Sequence, residues 1–291
     1  MLRNTFIHLP QVGTVTEREI WDSGVTSWDE FLRAPSLPAR IQSRHSELHS
    51  LIQKSSARLD EADAWYFNTC LPRGERWRLY GEFRDRAAFL DIETTGLSPA
   101  YSYITMVGIL DSDGYTAYVK DENLDDLRGA LEKYDLVVTF NGAAFDLPYI
   151  ERSFGRVFSR MAHIDIRFPL RRLGYRGGLK SIEADLRVGR PSELAGLSGY
   201  DAVLLWRMWL DGNKSARDTL IRYNAEDVAS LPALTEIVYN QLASRLSIRP
   251  QPLTPAFRHE IDLPYDMDTI RLLNGNRGLQ SRNRRRSIFN R

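Results

Sequence analysis

The sequence predicts an α/β domain, a mixed five-stranded sheet flanked by helices, set behind a small all-α segment. Three observations predict it. The run Ala87-Ala88-Phe89-Leu90-Asp91-Ile92-Glu93-Thr94-Thr95-Gly96 carries four apolar residues straight into two carboxylates. The apolar runs Tyr103–Leu110 and Tyr115–Lys120 flank the turn signal Asp111-Ser112-Asp113-Gly114, so these strands are antiparallel. Leu136–Phe140 is nearly all apolar, as suits a strand buried on both faces, and helical patterning surrounds it.

Ahead of that domain, residues 1–34 read as a helical segment. Leu9-Pro10-Gln11-Val12-Gly13 is a turn signal, Thr16 with Glu19 has capping-box spacing, and Gly24 suits a helix C-terminus. Ser27 with Glu30 repeats the capping pattern ahead of Phe31 and Leu32. Two helices around a glycine-containing hairpin resemble a helix-hairpin-helix, whose helix-start amides hold phosphate. Gln11 stands where the first hairpin glycine is usual, and a packing module is the competing reading. Residues 35–84 form a helical connector, with a helical stretch over Ile41–Leu59 and a break at Pro72-Arg73-Gly74. Its Trp65, Tyr66, Phe67, Trp77 and Tyr80 serve core packing, with base stacking the alternative use. Residues 85–246 hold the sheet domain. After the first three strands come a helix near Leu124–Tyr134, the buried strand, a helix from Phe145, a short strand over His163–Ile166, and helices from Leu179 to Leu246. Residues 247–291 read as an extended basic tail.

A chain of 291 residues with 26% charged side chains is a soluble globular protein. Its net charge of +1 is unevenly spread. Arg271–Arg291 holds seven arginines and no acid, and Arg167–Arg190 holds seven basic residues against Glu183 and Asp185. Such patches are compatible with a polyanionic partner. Cys70 is the sole cysteine, which excludes an intrachain disulfide and a cysteine-based zinc site. A reducing, cytoplasmic setting is the expectation. No run approaches a membrane span, and Met1–Phe6 lacks the apolar core of a signal peptide.

Chemistry concentrates in three places. Asp91 and Glu93 are i and i+2 on a strand, so both carboxylates project to one face at the end of a buried element. Like charges that close repel unless a cation sits between them, and hard divalent ions prefer carboxylate oxygen. Asp146 opens a helix after Asn141-Gly142, where a helix cap is the alternative reading. Tyr223 and Asp227 are four apart and share a helix face, whereas Glu226 points elsewhere.

In that order, Asp91-x-Glu93, Asn141-x-x-x-Phe145-Asp146 and Tyr223-x-x-x-Asp227 resemble the three motifs of the DEDD superfamily of 3′–5′ exonucleases. The tyrosine, in place of histidine, is similar to the DEDDy branch. The resemblance covers about Phe89 to Leu231. Phe6–Leu32, Trp77-Arg78-Leu79-Tyr80 and His163-Ile164-Asp165 are similar to a bacterial and archaeal family of RNase H-like exonucleases with an N-terminal appendage. The resemblance implies an RNase H-like fold and a metal-dependent 3′–5′ exonuclease on DNA or RNA, single strands preferred, using two Mg2+ or Mn2+ ions. By it, Asp91 bridges the ions, Glu93 and Asp227 hold the nucleophile-side ion, and Asp146 completes the leaving-group side, directly or through water. Tyr223 orients the attacking water, Asn141 and Phe145 contact the terminal nucleotide, and Thr94 hydrogen-bonds its sugar or phosphate. Arg167, Arg171, Arg172 and Lys180 either line the strand's path or form a solvated face. His163 reads as structural, with a general base the alternative, and Asp165 as a helix cap, with a further metal contact the alternative. A catalytically silent RNase H-like scaffold and a structure-specific RNase H-like endonuclease are the other readings. DNA and RNA differ at the 2′-hydroxyl, and no residue decides between them.

Overall fold

The computed structural model describes residues 1–98, 100–248, 250–254 and 261–273. A 3-10 turn over Leu2–Asn4 leads into α1 (Thr14–Asp22), α2 (Trp28–Arg33), α3 (Ala39–Gln42), α4 (His45–Asp60) and α5 (Ala64–Cys70). A 3-10 segment over Arg73–Leu79 and α6 (Tyr80–Phe83) complete the helical part. The capping box expected at Ser27 and Glu30 forms. The one expected at Thr16 and Glu19 does not: Gly13 takes the cap position, and Thr16 lies buried inside α1. Gln11 adopts the left-handed φ of 61° that its hairpin position requires.

One buried acid explains how this helical part is fastened. The Glu17 Oε1 accepts the Phe6 and Ile7 amides at 2.7 and 3.0 Å. Arg78 donates to both oxygens of Glu17, at 2.8 and 2.9 Å, and to Glu75 at 2.9 Å. Arg78 and Glu17 are each 1% exposed, so an ion pair without solvent ties α1 to the connector. Phe6, Trp28, Phe67, Trp77 and Leu79 join the core that covers one face of the sheet. The connector aromatics Phe67, Trp77 and Tyr80 are core residues, while Trp65 is exposed. No break in the core falls at residue 34 or 84.

The sheet comprises β1 (Ala87–Thr94), β2 (Ile104–Asp111), β3 (Gly114–Val119), β4 (Leu136–Thr139) and β5 (Ala162–Asp165), in the order β3-β2-β1-β4-β5. The first three strands are antiparallel neighbours, and β4 runs parallel to β1 and to β5. This is the RNase H-like arrangement the sequence predicts. Helix α7 (Leu127–Leu131) crosses from β3 to β4, and α8 (Asp146–Phe154) from β4 to β5. Then follow α9 (Arg167–Leu173), α10 (Leu179–Leu186), α11 (Ser192–Ala195), α12 (Gly199–Leu210), α13 (Lys214–Ala229) and α14 (Leu231–Ala243). Strand alternation sorts β1 cleanly. Ala87 and Phe89 face the core shared with the N-terminal helices and α14, while Ala88, Leu90 and Ile92 face the core under α7 and α8. Asp91 and Glu93 continue the Phe89 parity, but there α13 replaces the apolar cover.

The described part of the C-terminal segment departs from an extended tail. Residues 267–273 are helical, and Ile270 and Leu273 are buried with Trp206 and Leu220. Arg222 donates to the Leu263 carbonyl, and the Asp266 amide donates to Thr219 at 3.0 Å. Apolar anchors at 270 and 273 outweigh the basic composition. Of the arginines in Arg271–Arg291, only Arg271 lies within the described residues.

Candidate active site

Strand β4 pairs with β1 only over Ala87–Phe89. Strand β4 ends at Thr139, and β1 runs on to Thr94 at the C-terminal edge of the parallel strands, where open α/β sheets hold ligands. Asp146 is buried and belongs neither to the three-carboxylate cluster nor to the cleft lining, and its Oδ1 accepts the Ile92 amide at 3.1 Å. It is the first residue of α8, and Phe145 holds the cap position.

Helix α13 closes the other side. Its Tyr223, Asn224 and Asp227 are buried, and one oxygen each from Asp91, Glu93 and Asp227 lie within 4.8 Å of one another. The close approach depends on a missing side chain. Gly108 stands opposite Asp91 in β2, and a Cβ there would come within 1.8 Å of the Asn224 Oδ1. A glycine inside an otherwise apolar strand marks such an approach. Asn224 uses the space to donate to Asp91 at 3.0 Å and to Glu93 at 3.5 Å, while its Oδ1 accepts from the Tyr115 hydroxyl at 2.9 Å.

Electrostatics mark this cluster. Burial, then the charges of Asp146, Glu93 and Asp227, push the Asp91 carboxyl well above the ordinary carboxylate range. Burial and Asp227 do the same to Glu93, against the Asn224 hydrogen bond and Lys180. Burial raises Asp146 to about 7, even though backbone N–H groups favour its charged form. Two cations stand close by. Arg190, one of the basic residues of the 167–190 stretch, ion-pairs with Asp227 and, at 2.6 Å, with Glu183. Lys180 donates to the Tyr223 hydroxyl at 3.2 Å and lies 4.4 Å from its ring centroid. Burial, followed by the neighbouring carboxylates, raises the Tyr223 phenol.

The acidic cluster forms the floor of a cleft of about 590 Å³. Thr94 and Phe145 line it, along with Tyr223, Asp227 and, from α12, Tyr200, Val203 and Arg207. The Phe145 ring packs 4.9 Å from Tyr149, and the Thr94 hydroxyl donates to the Gly96 carbonyl at 2.7 Å. Asn141 is not among the lining residues. It borders a neighbouring cavity, where Arg167 donates to its side-chain oxygen. Arg172 is turned away to Glu75, at 2.6 Å. Glu226, expected to point elsewhere, pairs with Arg222 at 2.9 Å. His163 lies 2.9 Å from Thr139, and burial lowers it to about 4, as a structural histidine. Ile166, not Asp165, holds the cap position of α9; Asp165 accepts the Arg167 amide at 3.1 Å and those of Asn141 and Ala143 at 2.8 and 3.1 Å. It therefore positions the loop that carries Asn141 and Phe145.

Sequence reasoning missed Asn224, Tyr115 and the Arg190–Glu183 pair. Gly108 within β2 was the available signal for the first. The pairing of Arg190 with Asp227 spans 37 residues and has no local signature. The donor set suits a hard divalent cation: three carboxylates and no nitrogen or sulfur ligand among them, with a mutual repulsion that such an ion would relieve.

Residues 88–239, just over half of the chain, match the profile of the RNase_H superfamily, and the chain belongs to it. In structure it is similar to the family B DNA polymerase from the hyperthermophilic archaeon Pyrobaculum calidifontis, at 18% sequence identity and a TM-score of 0.43. That likeness covers 53% of this chain and 25% of the polymerase, so the chain spans about a quarter of that protein's length. No curated protein matches the sequence. Among the described residues no helix is long and apolar enough to cross a membrane.

Proposed function

We propose that this chain is a metal-dependent 3′–5′ exonuclease of the DEDDy type, with residues 85–246 as its nuclease domain and nucleic acid as its substrate. One observation carries the reading. Folding brings Tyr223 and Asp227 of α13 onto Asp91 and Glu93 of β1, in a cleft with an aromatic wall. Membership of the RNase_H superfamily supports it independently.

Asp91, Glu93 and Asp227 would hold Mg2+ or Mn2+, and Asp146, whose charge acts on Asp91, would complete the site directly or through water. Bound there, two such ions activate a water and stabilise the departing 3′ oxygen of a phosphodiester. The chain's own part is orientation and charge. Asn224 holds Asp91 and Glu93 in position by hydrogen bonding to both. Tyr223, whose phenol titrates ordinarily near 10, stays neutral at physiological pH and orients the attacking water as a hydrogen-bonding group. Lys180 fixes that hydroxyl. Phe145 offers a face on which the terminal base stacks, and Thr94 borders the same space. Arg190 balances the charge of Asp227. Asn141 contacts the incoming strand from the rim.

The test compares linear and circular single strands with magnesium or manganese present. Mononucleotide release from the linear strand alone, lost in Asp91→Ala and Asp227→Ala, is expected. Cutting of the circle would make the chain an endonuclease. Binding without cleavage of any substrate would make it a silent scaffold.

A further inference from the structure

Beside the acidic cleft lies a second cavity, of about 530 Å³, lined by Phe140, Asn141, Arg167, Arg171, Arg176 and the pair Gly177-Gly178. Its lining has three guanidinium groups and no acid. The side chains of Arg171 and Arg176 form no hydrogen bond or ion pair among the described residues, and both are exposed. By contrast, the neighbouring Arg172 and Arg190 are spent on Glu75, Glu183 and Asp227. Backbone donors join the open guanidiniums. Gly178 caps α10 without any side-chain partner for the free amides, and no atom lies within 4 Å of where its Cβ would stand. Uncapped amides and open guanidiniums around one concavity recognise phosphate.

Two elements run from this cavity into the acidic cleft. The β4–α8 loop presents Asn141 to the arginines and Phe145 to the carboxylates. Four residues of chain span at most about 14 Å. Helix α10 likewise sets Gly178 at the arginines and, two residues on, Lys180 at Tyr223. A stacked strand rises about 3.4 Å per nucleotide, so the two cavities lie within roughly four nucleotides of each other.

We propose that the arginine cavity seats the backbone phosphates of the nucleotides immediately 5′ of the one held in the acidic cleft. This rests on the exonuclease reading and sharpens it. The substrate is an oligonucleotide entered from its 3′ end and gripped by its backbone, without regard to base. Arg171 and Arg176 are the principal contacts, and Arg167 is held in place by Asn141.

The experiment measures binding of a fluorescent single-stranded 12-nucleotide DNA to the full chain in chelator, over a series of salt concentrations. The Arg171→Gln/Arg176→Gln variant is compared with wild type and with Arg171→Lys/Arg176→Lys. Each phosphate contact on a single strand contributes about 0.7 to the salt slope, so losing two lowers the slope by about 1.4 and the affinity by about 25-fold at 0.1 M salt. The lysine variant should recover most of the slope, since the charge is kept. Unchanged affinity and slope in the glutamine variant would overturn the proposal. So would a polyglutamate peptide that binds as tightly as the DNA, because the cavity would then be a general acidic-partner surface. Cleavage of matched DNA and RNA by wild type with magnesium and with manganese is followed in parallel. Binding that depends on the two arginines, with no cleavage of either polymer in either metal, sinks the exonuclease reading and leaves the cavity standing. Cleavage with a salt slope indifferent to the arginines sinks the cavity alone.

Discussion

Asn224 donates to both carboxylates of β1 while its own oxygen is held by Tyr115, so it sets the spacing of the charges it touches. Groups that orient metal ligands typically change metal affinity about 10–100-fold when removed. Asn224→Ala should weaken magnesium binding by that factor, read by calorimetry, and leave far-ultraviolet circular dichroism intact. Gly108→Ala drives a methyl group into the Asn224 oxygen, and overpacking of this kind costs about 1–3 kcal/mol. A lower urea midpoint checks it. His8 gives a separate pH test far from the site. It is 4% exposed, with Nε2 3.0 Å from the Ser55 hydroxyl, and burial lowers its pKa to about 3. The unfolded chain therefore takes up the proton first. The stabilisation is whole above about pH 6.5 and falls as the pH drops toward 3, by up to about 1.4 kcal/mol per pH unit. The difference in unfolding free energy between wild type and His8→Gln should shrink from pH 6.5 to pH 4, and a constant difference would contradict the assignment.

Among the elements, the strands were legible because their apolar runs and the Asp111–Gly114 turn are local signals, and the pairing β3-β2-β1 follows from them. The same holds for the carboxylates of β1 and the Tyr223–Asp227 spacing, which one strand and one helix fix internally. What the sequence hid is tertiary. Thr16 has the spacing of a cap, yet Gly13 holds the cap position of α1, and Thr16 is buried within the turn that carries Glu17 inward to Arg78. Asn141 sits in the expected motif but borders the arginine cavity, since Asp165 and Arg167 hold its loop there. Arg78 itself makes the sharpest prediction for the helical part. Arg78→Met would leave Glu17 buried without its cation, while Glu75 keeps Arg172, and breaking a buried pair from one side costs about 3–5 kcal/mol. Denaturant unfolding should show that loss, whereas Arg3→Met, at the exposed pair with Asp60, should fall within about 1 kcal/mol of wild type.

For the whole molecule, one core running from Leu2 to Ala243 joins the helical part to one face of the sheet, with Phe89 of β1 and Val228 of α13 in it. The described C-terminal helix adds Ile270 and Leu273 behind α13. Buried, repelling carboxylates drawn from β1 and α13 predict that metal stabilises the fold. A ligand at a hundred times its dissociation constant adds about 2.7 kcal/mol to the folded state. Magnesium or manganese should therefore raise the thermal midpoint of wild type, and Asp91→Asn/Asp227→Asn should abolish the rise. The central claim, that this site removes nucleotides one at a time from a 3′ end, is tested most directly by matched single strands labelled at either end, incubated with wild type and magnesium. The 3′ label should appear at once as a mononucleotide while the 5′-labelled strand shortens through a ladder. Early release of the 5′ label, or internal fragments without a ladder, would contradict it.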